Sequence, residues 1–212
     1  MNKTLHYLFD PLCGWCYGIM PAISPLAQGT DVTLNLLPTG LFSDQASRPM
    51  DDDFAAFAWS NDQRIAHLTG QRFTETYRQS VLGDRERRFD SGPATRALTA
   101  VALTKPQREH EALKHIQLAR FADGQDVTSL SVLADVLVRL GLNDAAALMM
   151  HSAAYAQEAS LTRVGQAQAL LHQFGARGVP TLILESESGH SLLDTSAVFS
   201  NPGALAEQLR AA

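Results

Sequence analysis

Apolar and polar positions alternate at the two ends of the chain and recur at helical spacing in its middle. Lys3 to Phe9 (KTLHYLF) is rich in strand formers and stops at Asp10-Pro11, which predicts a strand followed by a break. From Cys13 to about Leu26, Trp15, Ile19 and Ile23 recur every four residues, the stripe of a helix, with Pro21 expected to kink it and Pro25 to mark its last turn. Gly29 leads into a second apolar run, Val32 to Leu37, read as a strand. From Asp51 to about Phe174 strand signals vanish and helices are expected over Asp53 to Leu68, Pro93 to Leu103, Gln107 to Phe121, Leu130 to Leu140 and Asp144 to Phe174. Gly141 and Gly175 are placed as C-terminal stops, and Thr128 or Ser129 and Asn143 as N-caps. Strand character returns in Thr181 to Glu185, followed by a turn at Ser186 to Gly189, a short run His190 to Leu193 and a last helix, Pro202 to Leu209.

This order, βαβ, then a helical block, then ββα, implies that strands from both ends complete one sheet. The expected architecture is a single α/β domain over 1–212. Its halves lie at about 1–45 and 160–212, with an all-helical insertion at about 50–160. Hydrophobic residues at 45% and charged residues at 18% are ordinary for a globular protein. A net charge of −5 argues against a phosphate backbone as partner, and no apolar run is long enough to span a membrane. The first thirteen residues hold one lysine, an apolar run shorter than a secretory core and no small-residue cleavage site, so a cytoplasmic protein is expected. In that compartment thiols stay reduced, and a CxxC pair points to metal binding or redox catalysis rather than to a structural staple.

Cys13 and Cys16 are the only cysteines. Three residues apart at a helix start, they lie on one turn and can close a disulfide. Cys13 would meet the free N–H groups and positive end of the helix, which favours the thiolate and marks it as the nucleophile. Cys16, one turn deeper, would attack the mixed disulfide and release the product. Zinc fits poorly: a structural site needs four ligands and there is no second CxxC. His110 and His115 have acceptable spacing but no partner motif, and no metal is expected.

Gly178-Val179-Pro180-Thr181, just before an apolar strand, makes the chain resemble the thioredoxin superfamily. The resemblance implies a cis-proline loop facing the CxxC. Pro180 would keep metal from the thiols, and the Val179 backbone would pair with a substrate peptide. Proline at the first position of a strand, and a cis bond before proline, are both physically accessible. The DPLCGWCYG stretch, the helical insertion, GQDVTSLSVLADVLVRLGL and the run from Gly165-Gln166 to Val179-Pro180 resemble the DsbA-like family, in its cytoplasmic FrnE-like branch. The resemblance implies dithiol–disulfide exchange with protein substrates, no prosthetic group, and recycling by glutathione or a thioredoxin system. Secreted oxidases of that family place a histidine before the second cysteine. Trp15 stands there instead, which implies a less oxidising disulfide and makes reductase or isomerase chemistry accessible. Two other readings stand beside this one. One is a glutathione-dependent kappa-type transferase or hydroxychromene-carboxylate isomerase, relatives that carry serine at the position of Cys13. The other is a redox-independent holdase.

Trp15 reads either as an apolar lip for unfolded substrates or as packing against the sheet or helical block. Asp10 reads first as a helix cap and second as a proton relay. The mixed run Arg85, Glu86, Arg87, Arg88 reads as a solvated face, with an anion or glutathione site as the other reading. Met149-Met150-His151 reads as helix packing.

Overall fold

The computed structural model describes residues 3–29 and 32–211, so positions 1–2 and 30–31 of the N-terminal half and 212 of the C-terminal half lie outside the described residues. The elements, in chain order, are β1 (Lys3–Phe9), α1 (Gly14–Gly18), α2 (Met20–Ile23) and β2 (Val32–Pro38). Then come β3 (Arg48–Pro49), α3 (Asp52–Thr69), α4 (Glu75–Tyr77, continued by a π turn over Arg78–Leu82) and β4 (Arg88–Phe89). The helices α5 (Gly92–Thr104), α6 (Glu109–Phe121), α7 (Leu130–Arg139), α8 (Asn143–His151) and α9 (Ala153–Gln173) follow. The chain closes with β5 (Thr181–Ser186), β6 (Gly189–Leu192), α10 (Thr195–Ser200) and α11 (Gly203–Ala211).

The main sheet has the order β2-β1-β5-β6, with β2 parallel to β1 and with β5 and β6 each antiparallel to its neighbour. The two ends of the chain therefore build one sheet, as the alternating segments imply, and the fold is thioredoxin-like with helices inserted between its halves. Side chains alternate across β1. Leu5, Tyr7 and Phe9 enter the larger core with α1 and the inserted helices, while Leu8 joins Leu37, Ile183 and Ala167 of α9 on the other side. No helix among the described residues is long and apolar enough to cross a membrane.

Several expected elements differ. The helix from Cys13 to about Leu26 is three short pieces: α1, α2 and a 3-10 turn at Leu26–Gln28. Pro21 has no N–H to give the carbonyl of Tyr17, four residues back, so the helix breaks at Ile19 rather than merely kinking. That carbonyl instead accepts from Gln71 Nε2 at 2.8 Å, a bond that ties the inserted helices to the redox helix. The expected helix Asp144 to Phe174 is two, because Ser152 (φ −126°, ψ 46°) turns the chain so that α8 packs on α5 and α7 while α9 lies on β2. Asn143 is the first helical residue and Leu142 holds the cap position, so Asn143 is not the N-cap. A two-residue ladder, β3 with β4, interrupts the all-helical stretch. Gly141 and Gly175 end their helices with φ of 71° and 62°, as expected.

One buried ion pair fastens the insertion to the sheet. Arg163 of α9 pairs with Glu109 of α6 and donates to the Leu36 carbonyl of β2 at 2.8 Å and to Thr99 Oγ1 at 3.1 Å. Burial pushes Glu109 up to about 7 against the pull of Arg163. Removing the cation alone strands a buried carboxyl and several acceptors. Arg163→Met is expected to lower stability by about 3 kcal/mol in urea unfolding. A change within about 0.5 kcal/mol, the scatter of ordinary surface substitutions, would contradict this role.

Candidate active site at the CxxC

β1 ends at Phe9, and the next seven residues deliver both cysteines to that end of the sheet. Asp10 anchors the turn. Its backbone carbonyl accepts from the Cys13 N–H at 3.1 Å, and its carboxylate accepts from the Leu12 N–H at 2.9 Å, the Phe42 N–H at 3.2 Å and Ser91 Oγ at 2.7 Å. The expectation that Asp10 caps the helix is corrected here. Cys13 occupies the N-cap of α1 and no side chain caps it, whereas Asp10 forms an Asx turn and reaches across to the insertion. Asp10 is fully buried. Its carboxyl is raised by burial, against the hydrogen bonds of Ser91, Leu12 and Phe42 and the charge of Arg120.

Both cysteines are free thiols. Cys13 keeps 8% of its surface exposed and Cys16 none, so only the first is approachable. Burial, then the neighbouring Cys13 sulfur, holds the Cys16 thiol well above its ordinary range. Tyr7 donates to the Cys16 carbonyl at 2.9 Å and fixes the turn between them. Opposite, the Val179–Pro180 peptide bond is cis and the Cys13 thiol points at the Val179 carbonyl, 3.8 Å away. Thr181 Oγ1 closes the loop on the Gly178 carbonyl at 2.7 Å. The fold thus brings Cys13, Cys16, Val179 and Pro180 together with Asp10 beneath them. Trp15 is half-buried: its ring packs edge-on against Phe199 at 4.8 Å, with Arg64 over it at 5.7 Å. It both packs and lines an apolar cavity of about 160 Å³ that opens beside Cys13, bounded also by Phe42, Phe54, Phe57 and Tyr77.

The residues that sequence reasoning missed lie under this cavity. A Cβ on Gly14 would fall 2.3 Å from Asp62 Oδ1, and one on Gly18 would fall 2.6 Å from Ile65 Cγ2. These two glycines let α1 lie against α3. Asp62 is buried and accepts from Tyr77 OH at 3.0 Å. Burial raises it to about 7, although Tyr77 and the Arg120 charge pull it down. Arg120 is almost wholly buried, stacked over Tyr77, Phe89 and Phe121, with Nε and Nη2 lacking partners among the described residues. It is the cation that both Asp10 and Asp62 feel. The signal for Asp62 was present: on α3 it follows Ala55 and precedes Ile65 on the buried face, where an apolar residue is the rule.

The other candidates lie elsewhere or are engaged. Arg85 pairs with Asp52, Arg87 with Asp84 and Asp126, and Arg88 binds Ser47, so the basic run is taken up by the protein itself. Met149 is buried, Met150 is exposed and His151 faces solvent, as packing requires.

Because Asp62 has its carboxyl raised on folding from 3.8 to about 7, the native state holds a proton that the unfolded chain has lost between those values. Stability from this group therefore falls as pH rises through that window and is level above it. Asp62→Asn removes the dependence. Its stability relative to the parent is expected to grow by on the order of 2–4 kcal/mol between pH 4 and 8 in urea unfolding. Parallel pH curves would contradict this.

Comparison with known proteins agrees with the geometry. Residues 4–206 match the family model described as DSBA-like thioredoxin domain. The cytosolic disulfide reductase DsbM from Pseudomonas aeruginosa superposes with a TM-score of 0.86 at 32% identity, covering 99% of this chain and 100% of that one. Its structure with GSH superposes with a TM-score of 0.84 at 31% identity, covering 98% and 99%. Pseudomonas aeruginosa DsbA, at 16% identity and a TM-score of 0.55 over 99% of this chain and 81% of its own, shares the fold. No curated protein matches the sequence. With a family model spanning nearly its whole length and a relative above 30% identity matching end to end, the chain belongs to the DsbA-like thioredoxin-domain family.

Proposed function

We propose that the chain is a cytoplasmic thiol–disulfide oxidoreductase acting as a reductase of protein disulfides, with Cys13 as nucleophile and Cys16 as resolving thiol. The observation that carries this reading is the Cys13 thiol held 3.8 Å from the Val179 carbonyl with Cys16 sealed one turn behind it. The Cys13 thiolate attacks a substrate disulfide, forming a mixed disulfide and releasing one substrate thiolate. Cys16 then gives up its proton and attacks Cys13 Sγ, releasing the second substrate thiolate and leaving the Cys13–Cys16 disulfide, so two electrons have passed to the substrate. Two glutathione thiols, or a thioredoxin, restore the dithiol. The GSH-bound structure of the 32–31% identical DsbM supports glutathione as the donor. No other cofactor enters.

Buried Cys16 needs a proton acceptor before it attacks, and Asp10 is the carboxyl beside it; the Tyr7 phenol also lies against Cys16, but burial holds it well above its ordinary range and makes it a poor site for the ionised form. The raised Asp10 carboxyl suits the relay role. Val179 and Pro180 offer backbone edge to an extended substrate, and Trp15 with the apolar cavity suits a nonpolar side chain next to the substrate cysteine. The presence of Cys16 behind Cys13 weighs against the transferase and isomerase readings, whose relatives lack a resolving thiol. A purely redox-independent holdase leaves the buried thiol without a role.

With a disulfide-bonded peptide or oxidised glutathione, Cys16→Ser is expected to accumulate one mixed disulfide per chain at Cys13, seen as the added mass. Cys13→Ser is expected to accumulate none and to lose turnover at least a hundredfold. In Asp10→Asn the same adduct is expected to build up transiently while its formation rate is unchanged. An active Cys13→Ser variant, or full turnover without Cys16, would exclude the mechanism; an Asp10→Asn variant that clears the adduct as fast as the parent would exclude the relay.

A further inference from the structure

Away from the cysteines, a group of ligating side chains converges on the sheet. His6 of β1, Glu185 of β5 and His190 of β6 present one donor atom each, all within 4.8 Å of one another. The sheet register explains the convergence. Glu185 and His190 are partners across β5 and β6, and His6 is the partner of Asn35 across β1 and β2; across β1 and β5 His6 lies opposite Ile183, so Glu185, two residues on, is its diagonal neighbour on the same face. His6 Nε2 lies 2.9 Å from Glu185 Oε2, and His190 Nε2 lies 3.8 Å from the same oxygen. The two rings are stacked at 6.1 Å, and Phe174, just past the end of α9, leans on His190.

An ordinary hydrogen bond accounts for His6 and Glu185 but not for a second imidazole aiming the same nitrogen at the same oxygen. Among the described residues Glu185 has no lysine or arginine partner, only these two histidines. Three donors meeting at a point are what a cation gathers. Asn35 supplies the outer support: its amide lies 3.0 Å from His6 Nδ1, and a half-turn of the amide lets its oxygen accept from a protonated Nδ1, which leaves Nε2 free to ligate.

We propose that His6, Glu185 and His190 bind a divalent cation of the zinc class. Two imidazoles and one carboxylate suit Zn2+, Co2+ or Ni2+, whereas Mg2+ and Ca2+ take oxygen ligands. Metal–ligand distances of about 2.0–2.1 Å in a tetrahedron put the donors roughly 3.3 Å apart. The separations of the two imidazole nitrogens from Glu185 Oε2, 2.9 and 3.8 Å, straddle that value, and all three donors lie within 4.8 Å of one another. The adjustment falls on His190, an exposed residue of the edge strand, while His6 is the more buried and fixed ligand. Water completes the shell on the open side. The bound cation ties β6, exposed along its length, to β1 and β5, the strands that carry the CxxC and the Pro180 loop at their opposite ends.

The test uses the full chain with Cys13→Ser and Cys16→Ser, since the dithiol itself attracts zinc. Calorimetric titration with Zn2+ is expected to give one site per chain. His190→Ala and Glu185→Gln, both at exposed positions, are each expected to weaken it at least tenfold. Saturating Zn2+ is expected to raise the melting temperature of the parent but not of His190→Ala, and equimolar Mg2+ is expected not to compete. Absence of a stoichiometric site, affinity unchanged by both substitutions, or displacement by equimolar Mg2+ would overturn the proposal.

Discussion

Backbone hydrogen bonds run from β1 to β2 on one side and to β5, from the far end of the chain, on the other. That double pairing sets the position of every reactive group. Leu8 pairs with Thr181, so the C-terminal end of β1 meets the start of β5 and the segment that follows Phe9 faces the segment that precedes Thr181. Register brings the two segments together, and the turn anchored by Asp10 carries the Cys13 thiol to 3.8 Å from the Val179 carbonyl. Closing so long a loop costs chain entropy, but that cost grows only slowly with length. The inserted helices offset it through the core shared by Tyr17, Phe73, Tyr77 and Phe121 and through the ties from Arg163 to Leu36 and from Gln71 to Tyr17.

The same packing places charge where charge is expensive. Asp10, Asp62 and Arg120 are all buried around the redox helix. Each carboxyl is raised by lost hydration and partly restrained by the Arg120 cation. An apolar core of the same volume would be at least as stable. The arrangement gives up stability, and Asp10 in return holds Leu12, Phe42 and Ser91 in register.

The four strands of the main sheet were legible because each is a short β-forming run bounded by proline or glycine, and β1 and β5 fall where alternation and Pro11 or Pro180 put them; the two-residue β3 and β4 were not, because only their mutual pairing makes them strands. The cysteine pair and the Val179-Pro180 loop were legible as motifs of few residues with fixed spacing. What could not be read depends on long-range contacts. Asp10 resembles a helix cap until Phe42 and Ser91, 32 and 81 residues away, are seen to bind it. The break at Ile19 is stabilised by Gln71 from the connection between α3 and α4. Asp62 and Arg120 sit on helices that were found, but their inward faces were not read against the period. His6, Glu185 and His190 come from three strands, so no spacing in the chain announces them.

Dithiol–disulfide exchange between Cys13 and Cys16 is the claim on which the functional reading stands. Its most direct measurement is an equilibrium titration in glutathione redox buffers, counting free thiols and protein mass at each ratio. Both thiols are expected to disappear together in one two-electron transition that follows the ratio of squared reduced glutathione to oxidised glutathione, without added mass, and with a potential low enough for the dithiol to act as a reductant. Loss of a single thiol per chain with a glutathione adduct that persists at equilibrium would contradict the account.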